Sequence, residues 1–174
     1  ISRVMELVNE NNSILKEKIE EYDFENGVDH EKLALDMADI MFANDGIGLA
    51  APQIGLQHRM FLIGDKEGTI ACFNPKVVNF SEETTIGSEG CLSFPGLFLR
   101  IKRPKTVTVT FKDFNQNTHD MTFTDILARA FTHELDHLNG IIYTSYVNQF
   151  ALRSARNKRK AFLRRQKHAT NETE

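Results

Sequence analysis

Residues 125–139 read as one helix that is apolar on nearly every side, and its middle carries His133-Glu134-Leu135-Asp136-His137. Ile126, Leu127, Ala130, Phe131, Leu135 and Leu138 wrap most of its circumference, and a helix without a polar face belongs in a protein interior. Buried histidines and carboxylates need partners. Any fold for this chain must therefore surround that helix and give its polar cluster something to hold. Positions four apart share a helical face, so His133 and His137 can grip one metal ion with Glu134 beside it. This is the H-E-x-x-H pattern, in which the carboxylate serves as general base. Thr122 and Asp125 make a capping-box-like start, and Gly140 a good stop. Asp136 points about 100° away from His137 on the helix, so a salt bridge, with Arg103 a candidate partner, suits it better than metal ligation.

Two histidines leave a catalytic metal site one protein ligand short. The only later histidine is His168, in a basic tail, and Glu172 and Glu174 sit at the terminus. Cys91 lies upstream in Glu89-Gly90-Cys91-Leu92-Ser93, a segment of turn-like composition. His133, His137 and Cys91 together make a three-ligand set with one position open, which separates a catalytic from a structural site. The alternative is a closed site with Cys72 as fourth ligand. Cys72 sits in the apolar run Ile70-Ala71-Cys72-Phe73, where it also reads as a small buried hydrophobe. Such a donor set suits iron or zinc, and a metal lowers the pKa of its bound water toward about 7. A third block, Gly46-Ile47-Gly48-Leu49-Ala50-Ala51-Pro52-Gln53, has small residues that let a backbone approach a ligand, and an amide donor in Gln53. His30, His58, His119 and His168 lack partners at ligand spacing and read as surface or structural histidines.

These three blocks, in this order, resemble peptide deformylase. The family pattern is G-x-G-L-A-A-x-Q, then E-G-C-L-S, then H-E-x-D-H-L. It is matched here by Gly46, Gly48 to Ala51 and Gln53, by Glu89 to Ser93, and by His133 to Leu138. The resemblance spans roughly residues 13–165. Thr132 stands where the family usually has Gln. Asn11-Asn12-Ser13-Ile14-Leu15 stands where a Pro-Asp is usual, and neither change removes a residue the chemistry needs. The resemblance implies an α+β fold of small antiparallel sheets around the central buried helix. It implies removal of the N-formyl group from the formylmethionine that begins new polypeptides, by hydrolysis at one divalent ion. That ion is typically Fe2+, with Zn2+, Ni2+ or Co2+ able to take the site. The metal ligands would be Cys91, His133 and His137, with Glu134 the general base. The Gln53 side chain and the Leu92 N–H would stabilise the oxyanion. Ile47 would line the methionine pocket, Gly48 would lie close to the substrate backbone, and Glu89 would orient a ligand or pair with a base.

The rest of the chain fits one domain of 174 residues, with residues 1–150 the catalytic body and 151–174 a basic helix and tail of the same domain. Residues 29–44 read as a helix capped by Asp29, with Leu33, Met37, Ile40, Met41 and Asn44 on one side. Residues 59–63 and 69–73 suit buried strands. The alternation of Val107, Val109 and Phe111 with threonines and lysine predicts a half-buried strand, with 117–123 as its hairpin partner. Residues 146–167 predict a last helix packing through Val147, Phe150, Ala151 and Phe162. There is no apolar run long enough to span a membrane. If Cys91 binds metal, Cys72 has no disulfide partner, which favours a reducing compartment. The start at Ile1 without Met leaves a removed leader or trimming open.

Charge is unevenly placed. Residues 151–168 carry eight Lys or Arg and no acid, while residues 1–150 hold 13 basic and 22 acidic side chains. Such a basic segment suits a solvated helix face, a nucleic acid or, with few aromatics, less well a membrane surface. The resemblance points to docking on the ribosome, since bacterial deformylases are thought to use a C-terminal helix for it. It further implies a monomer, cytoplasmic if bacterial or virus-encoded, with an organelle also open. Because every candidate catalytic residue precedes it, the segment after Phe150 is expected to be dispensable for turnover if the fold survives. Two other functions compete: a metallopeptidase with a longer cleft, and a non-catalytic ribosome-binding relative. The first lacks the glycine loop and the Cys91 block; the second has no need of Glu134 or Cys91.

Overall fold

Asp29 opens the first long helix, as its position predicts. Its side chain accepts the Lys32 N–H at 3.0 Å, and helix α1 runs His30–Ala43. Leu33, Ala34, Met37 and Met41 are its buried residues. Asn44 is not part of that face: it is exposed, and its side chain donates to Ile40 O, closing the helix end. The computed structural model describes residues 5–172; Ile1 lies outside them.

Seven strands follow: β1 (Gly48–Ala50), β2 (Met60–Asp65), β3 (Gly68–Phe80), β4 (Thr84–Cys91), β5 (Phe94–Pro104), β6 (Thr106–Lys112) and β7 (Thr118–Thr124). They form a five-stranded antiparallel sheet in the order β1-β2-β3-β6-β7 and a separate two-stranded ribbon, β4-β5. The buried helix α2 (Ile126–Leu138) lies on one face of the larger sheet. Strand β2 explains its own uninterrupted apolar run. Phe61 and Ile63 point to the α2 side with Phe131, while Met60 and Leu62 join Met37 and Met41 of α1 on the other. The architecture is the α+β one expected, with the H-E-x-x-H helix at its centre.

Several expectations need correction. First, α2 has no capping box. Thr122 is a strand residue paired with Thr108, and Asp125 has φ 57° with no side-chain cap bond; its N–H donates to Lys105 O instead. Second, α2 is not apolar-buried all round, since Ile126 is 62% exposed at its start. Third, the last helix, α3 (Gln149–Glu172), begins later than residue 146, and Tyr143–Tyr146 form a 3-10 turn. Asn148 Oδ1 accepts the Ala151 N–H at 2.8 Å, which fits a helix starting there. The packing side of α3 is the expected one only in part: Val147 packs on the core, Ala151 is half-buried and Phe162 reaches Gly96, but Phe150 points outward. Phe150 is 83% exposed, and the buried contact is made by Ala155 with Leu152 and Val147 beside it. Ala155 shares a core cluster with Cys91, Phe94, Leu97, Leu99 and Tyr143. The helix is therefore built onto the body, and cutting after Phe150 would strip one wall from the core around Cys91. No helix among the described residues is long and apolar enough to cross a membrane.

Candidate active site

Helix α2 and ribbon β4-β5 bring the candidate ligands together. The donor atoms of Cys91, His133 and His137 all lie within 4.8 Å of one another. Cys91 Sγ is 3.3 Å from His137 Nε2. Ligand atoms around a tetrahedral ion at 2.0–2.3 Å bonds stand about 3.3–3.8 Å apart, so a small contraction would seat one. Cys72 is elsewhere, fully buried on β3 in the cluster between the sheet and α2. Among the described residues it belongs to no group of metal donors, which removes the closed four-ligand site.

The donor chemistry fits a divalent ion in more than distance. His133 Nδ1–H donates to Glu89 Oε1 at 2.9 Å, which leaves Nε2 as the ligating atom and fixes the ring. Burial works against a charged His133, but Glu134, Cys91 and Glu89 outweigh it and lift its pKa to about 10. Burial and the neighbouring His133 push His137 well below its ordinary value. Burial raises Glu134 to about 7, with His133 opposing and Glu89 adding to the rise. Glu134 Oε1 and His137 Nδ1 are buried with no hydrogen-bond partner in the protein.

Glu89 anchors the surroundings. It accepts from Arg103 Nε and Nη2 at 2.7 and 2.8 Å, and from Arg129 Nη1 at 2.7 Å, as well as from His133. Glu89 thus pairs with two bases and at the same time holds the His133 ring. Arg103 passes its remaining arm to Asp136 Oδ2 at 2.8 Å, the bridge anticipated from the helix geometry. Tyr146 OH donates to the same oxygen at 2.6 Å. Arg129 was not anticipated. Its guanidinium also donates to Ile101 O and Thr85 O, tying α2 to both strands of the ribbon.

Burial would raise the Glu89 pKa, but Arg103 and His133 win and hold it at about 2, against an ordinary 4.5. The stability this contributes, roughly 3 kcal/mol, is full above pH 4.5 and is lost as pH falls toward 2. Glu89→Gln should cost roughly 3–5 kcal/mol near neutral pH, because the buried Arg103 then has only Asp136 to balance its charge. Denaturant unfolding at several pH values checks this. The wild type should lose stability more steeply than the variant between pH 4.5 and 2, and parallel curves would remove Glu89 from the account.

The glycine block forms β1 and the following 3-10 turn, Ala51–Ile54. Gln53, 1% exposed, accepts the Ala50 N–H through Oε1 at 2.8 Å. That fixes its amide so that Nε2 faces Cys91 Sγ at 3.4 Å and Ser93 Oγ at 3.5 Å. Gly48 is there for Glu134: a Cβ would run into the carboxylate. Leu92 follows Cys91 in the turn between β4 and β5 and, with Ile47, Gly48, Phe98 and Ile126, lines a cleft of about 440 Å³. Cys91, His133 and Glu134 lie in its wall. Arg129 and Phe98 line the cleft and carry no sequence-based expectation, and Ser93 is expected only as a member of its block. The exposed Phe98, beside inward Leu97 and Leu99, was a strand signal for β5. The other histidines are structural or exposed: His30 bonds Tyr22 OH and Phe24 O, and His119 bonds Asp113.

Comparison with known proteins agrees with this geometry. The family model described as polypeptide deformylase matches residues 4–152, starting earlier and ending sooner than the motif-based span of 13–165. A peptide deformylase of Caldanaerobacter subterraneus subsp. tengcongensis is 44% identical over 115 residues, 66% of this chain and 72% of the relative. One of Finegoldia magna is 42% identical over 142 residues, 79% and 86% of the two chains. Among solved structures, a peptide deformylase from Legionella pneumophila superposes with TM-score 0.83 at 31% identity, covering 94% of this chain and 98% of that one. One from Synechococcus elongatus, in complex with actinonin, gives 0.81 at 30% identity over 92% and 88%. Agreement in sequence over most of the chain and in backbone over nearly all of it shows that this chain belongs to the polypeptide deformylase family of hydrolases.

Proposed function

We propose that this chain removes the formyl group from the N-terminal formylmethionine of new polypeptides, using one divalent ion held by Cys91, His133 and His137. The observation that carries the reading is the donor triad, two of whose members line the cleft, beside a buried, unpartnered carboxylate oxygen of Glu134. A divalent ion in this set would polarise the formyl oxygen and make bound water acidic near neutral pH. Glu134 accepts the proton as water adds to the formyl carbon. The C–N bond then breaks, the proton passes from Glu134 to the departing amine, and formate is left. Burial suits Glu134 to this, because a base with a pKa near the working pH can both take and return a proton. The Gln53 amide, held by Ala50, and the Leu92 N–H are the donors for the oxyanion. Ile47 receives the methionine side chain and Gly48 the substrate backbone. The test is formate release from formyl-Met-Ala-Ser under anaerobic conditions, with metal analysis of the same sample. A metal-loaded chain that releases no formate would refute the reading.

The working metal is proposed to be Fe2+, with Zn2+, Ni2+ or Co2+ able to replace it. The iron form is then expected to lose activity in air, since ferrous iron oxidises beside the Cys91 thiolate. The nickel or zinc form should outlast it. Equal half-lives with and without oxygen would point away from iron.

The outer face of α3 is proposed to meet ribosomal RNA, with the chain acting as a monomer in a bacterial cytoplasm, an organelle or a virus-infected cell. Of its eight basic side chains all but Arg159 are exposed. Ribosome pelleting should fall steeply with salt, as when cations displace phosphate counterions. Because truncation would disturb the core, the variant to use is Arg153→Gln with Arg156→Gln and Lys160→Gln. Unchanged pelleting would leave this face merely solvated.

A further inference from the structure

Two of the three candidate ligands sit on one rigid helix, and the third does not. Cys91 ends strand β4 of a two-stranded ribbon that shares no hydrogen-bonded ladder with the main sheet. How well the triad closes therefore depends on what holds the ribbon. Before Cys91, Glu89 ties it to α2 through His133 and Arg129. After Cys91, the attachment is different. Gly96 has φ +77°, a left-handed conformation, and the space a Cβ would take is filled from α3. Phe162 Cδ1 lies 3.0 Å and Arg159 Cγ 3.4 Å from that ideal Cβ position. Arg159 then continues past the turn, and its Nη1 donates to Glu10 Oε1 at 2.8 Å. Glu10 leads into Ser13–Lys16, whose Ile14 and Leu15 pack in the cluster that holds Cys91 and Ala155. Tyr143 OH donates to Leu97 O at 2.6 Å, closing the same corner.

We infer that Phe162 and Arg159 of α3 are positioning residues for Cys91: they brace the turn at Gly96 and so set how firmly the triad holds its metal. This rests on the metal reading above. Neither residue touches the reacting atoms, and neither belongs to the exposed basic face. Three segments far apart in sequence, around residues 10, 96 and 160, form the brace.

The experiment uses the full chain loaded with cobalt and follows transfer of the ion to a chelator. Phe162→Ala should release cobalt about 10–100-fold faster, the usual size for loss of a residue supporting a ligand. Phe162→Leu should restore slow release, and Phe150→Ala, on the exposed side of the same helix, should match the wild type. Arg159→Glu and Glu10→Arg should each speed release, and the double variant should slow it again. Melting of the metal-free proteins separates the brace from general destabilisation, which would lower melting without this pattern of swap and rescue. Wild-type release by Phe162→Ala, or equal acceleration by Phe150→Ala, overturns the inference. A wild type that takes up no cobalt would instead overturn the metal reading, and this inference with it. If Phe162→Ala does not fold, the charge swap decides alone: no recovery in the double variant counts against the brace.

Discussion

Glu134→Ala is expected to lower kcat on a short formyl-Met peptide by about 10²–10⁴-fold while metal content stays near one ion per chain. The carboxylate is 4% exposed, packs against Gly48 and leaves Oε1 without a protein partner. Nothing structural relies on that oxygen, so its removal should be felt in chemistry rather than in folding. Glu134→Gln sharpens the test, because it keeps the shape and removes only the ability to take a proton. Both variants should hold metal and show similar KM. Turnover within a few-fold of wild type would take Glu134 out of the mechanism.

The largest effects are expected at the ligands. Cys91→Ser, His133→Ala and His137→Ala should each lose the ion on dialysis and fall to background formate release, because among the described residues no further donor stands close enough to substitute. The three should not be equivalent in stability. His133→Ala also removes one of the two donors to Glu89 Oε1, leaving Arg103 Nη2 alone on it, whereas His137 Nδ1 has no protein partner to leave behind. His133→Ala should therefore melt lower than His137→Ala when both are metal-free. Full occupancy with normal turnover in any one of them would break the ligand assignment.

How much of this was legible in the sequence depended on whether the signal was local. Helix α1, the β6-β7 hairpin, the stop at Gly140 and the His133–His137 pair could be read because each rests on spacing within a short window; Cys91, 46 residues before His137, could be read only from its own short block and the family resemblance. The Asp136 partner could be read because helix geometry turns that carboxylate off the histidine face. Ribbon β4-β5 was missed. Gly87, Gly90, Pro95, Gly96 and Pro104 look like breakers, although the inward alternation of Leu97, Leu99, Ile101 and Arg103 was present. Arg129 could not have been assigned, since its partners lie 28 to 44 residues away. Phe150 misled because apolar character alone does not fix how a helix is rotated about its axis. The small Ala155, which allows close approach, decided that rotation.

Strand β2, with a neighbour on each side and a helix over each face, has a kinetic consequence. Its amide protons should be among the last to exchange with solvent, opening only when the whole molecule unfolds. The β4-β5 ribbon, held by side chains rather than by a shared ladder, can detach at lower free energy. In mild denaturant the Cys91 thiol would then become open to alkylation while His133 and His137 still stand on an intact helix, so that the molecule comes apart at its donor triad before it comes apart at its core.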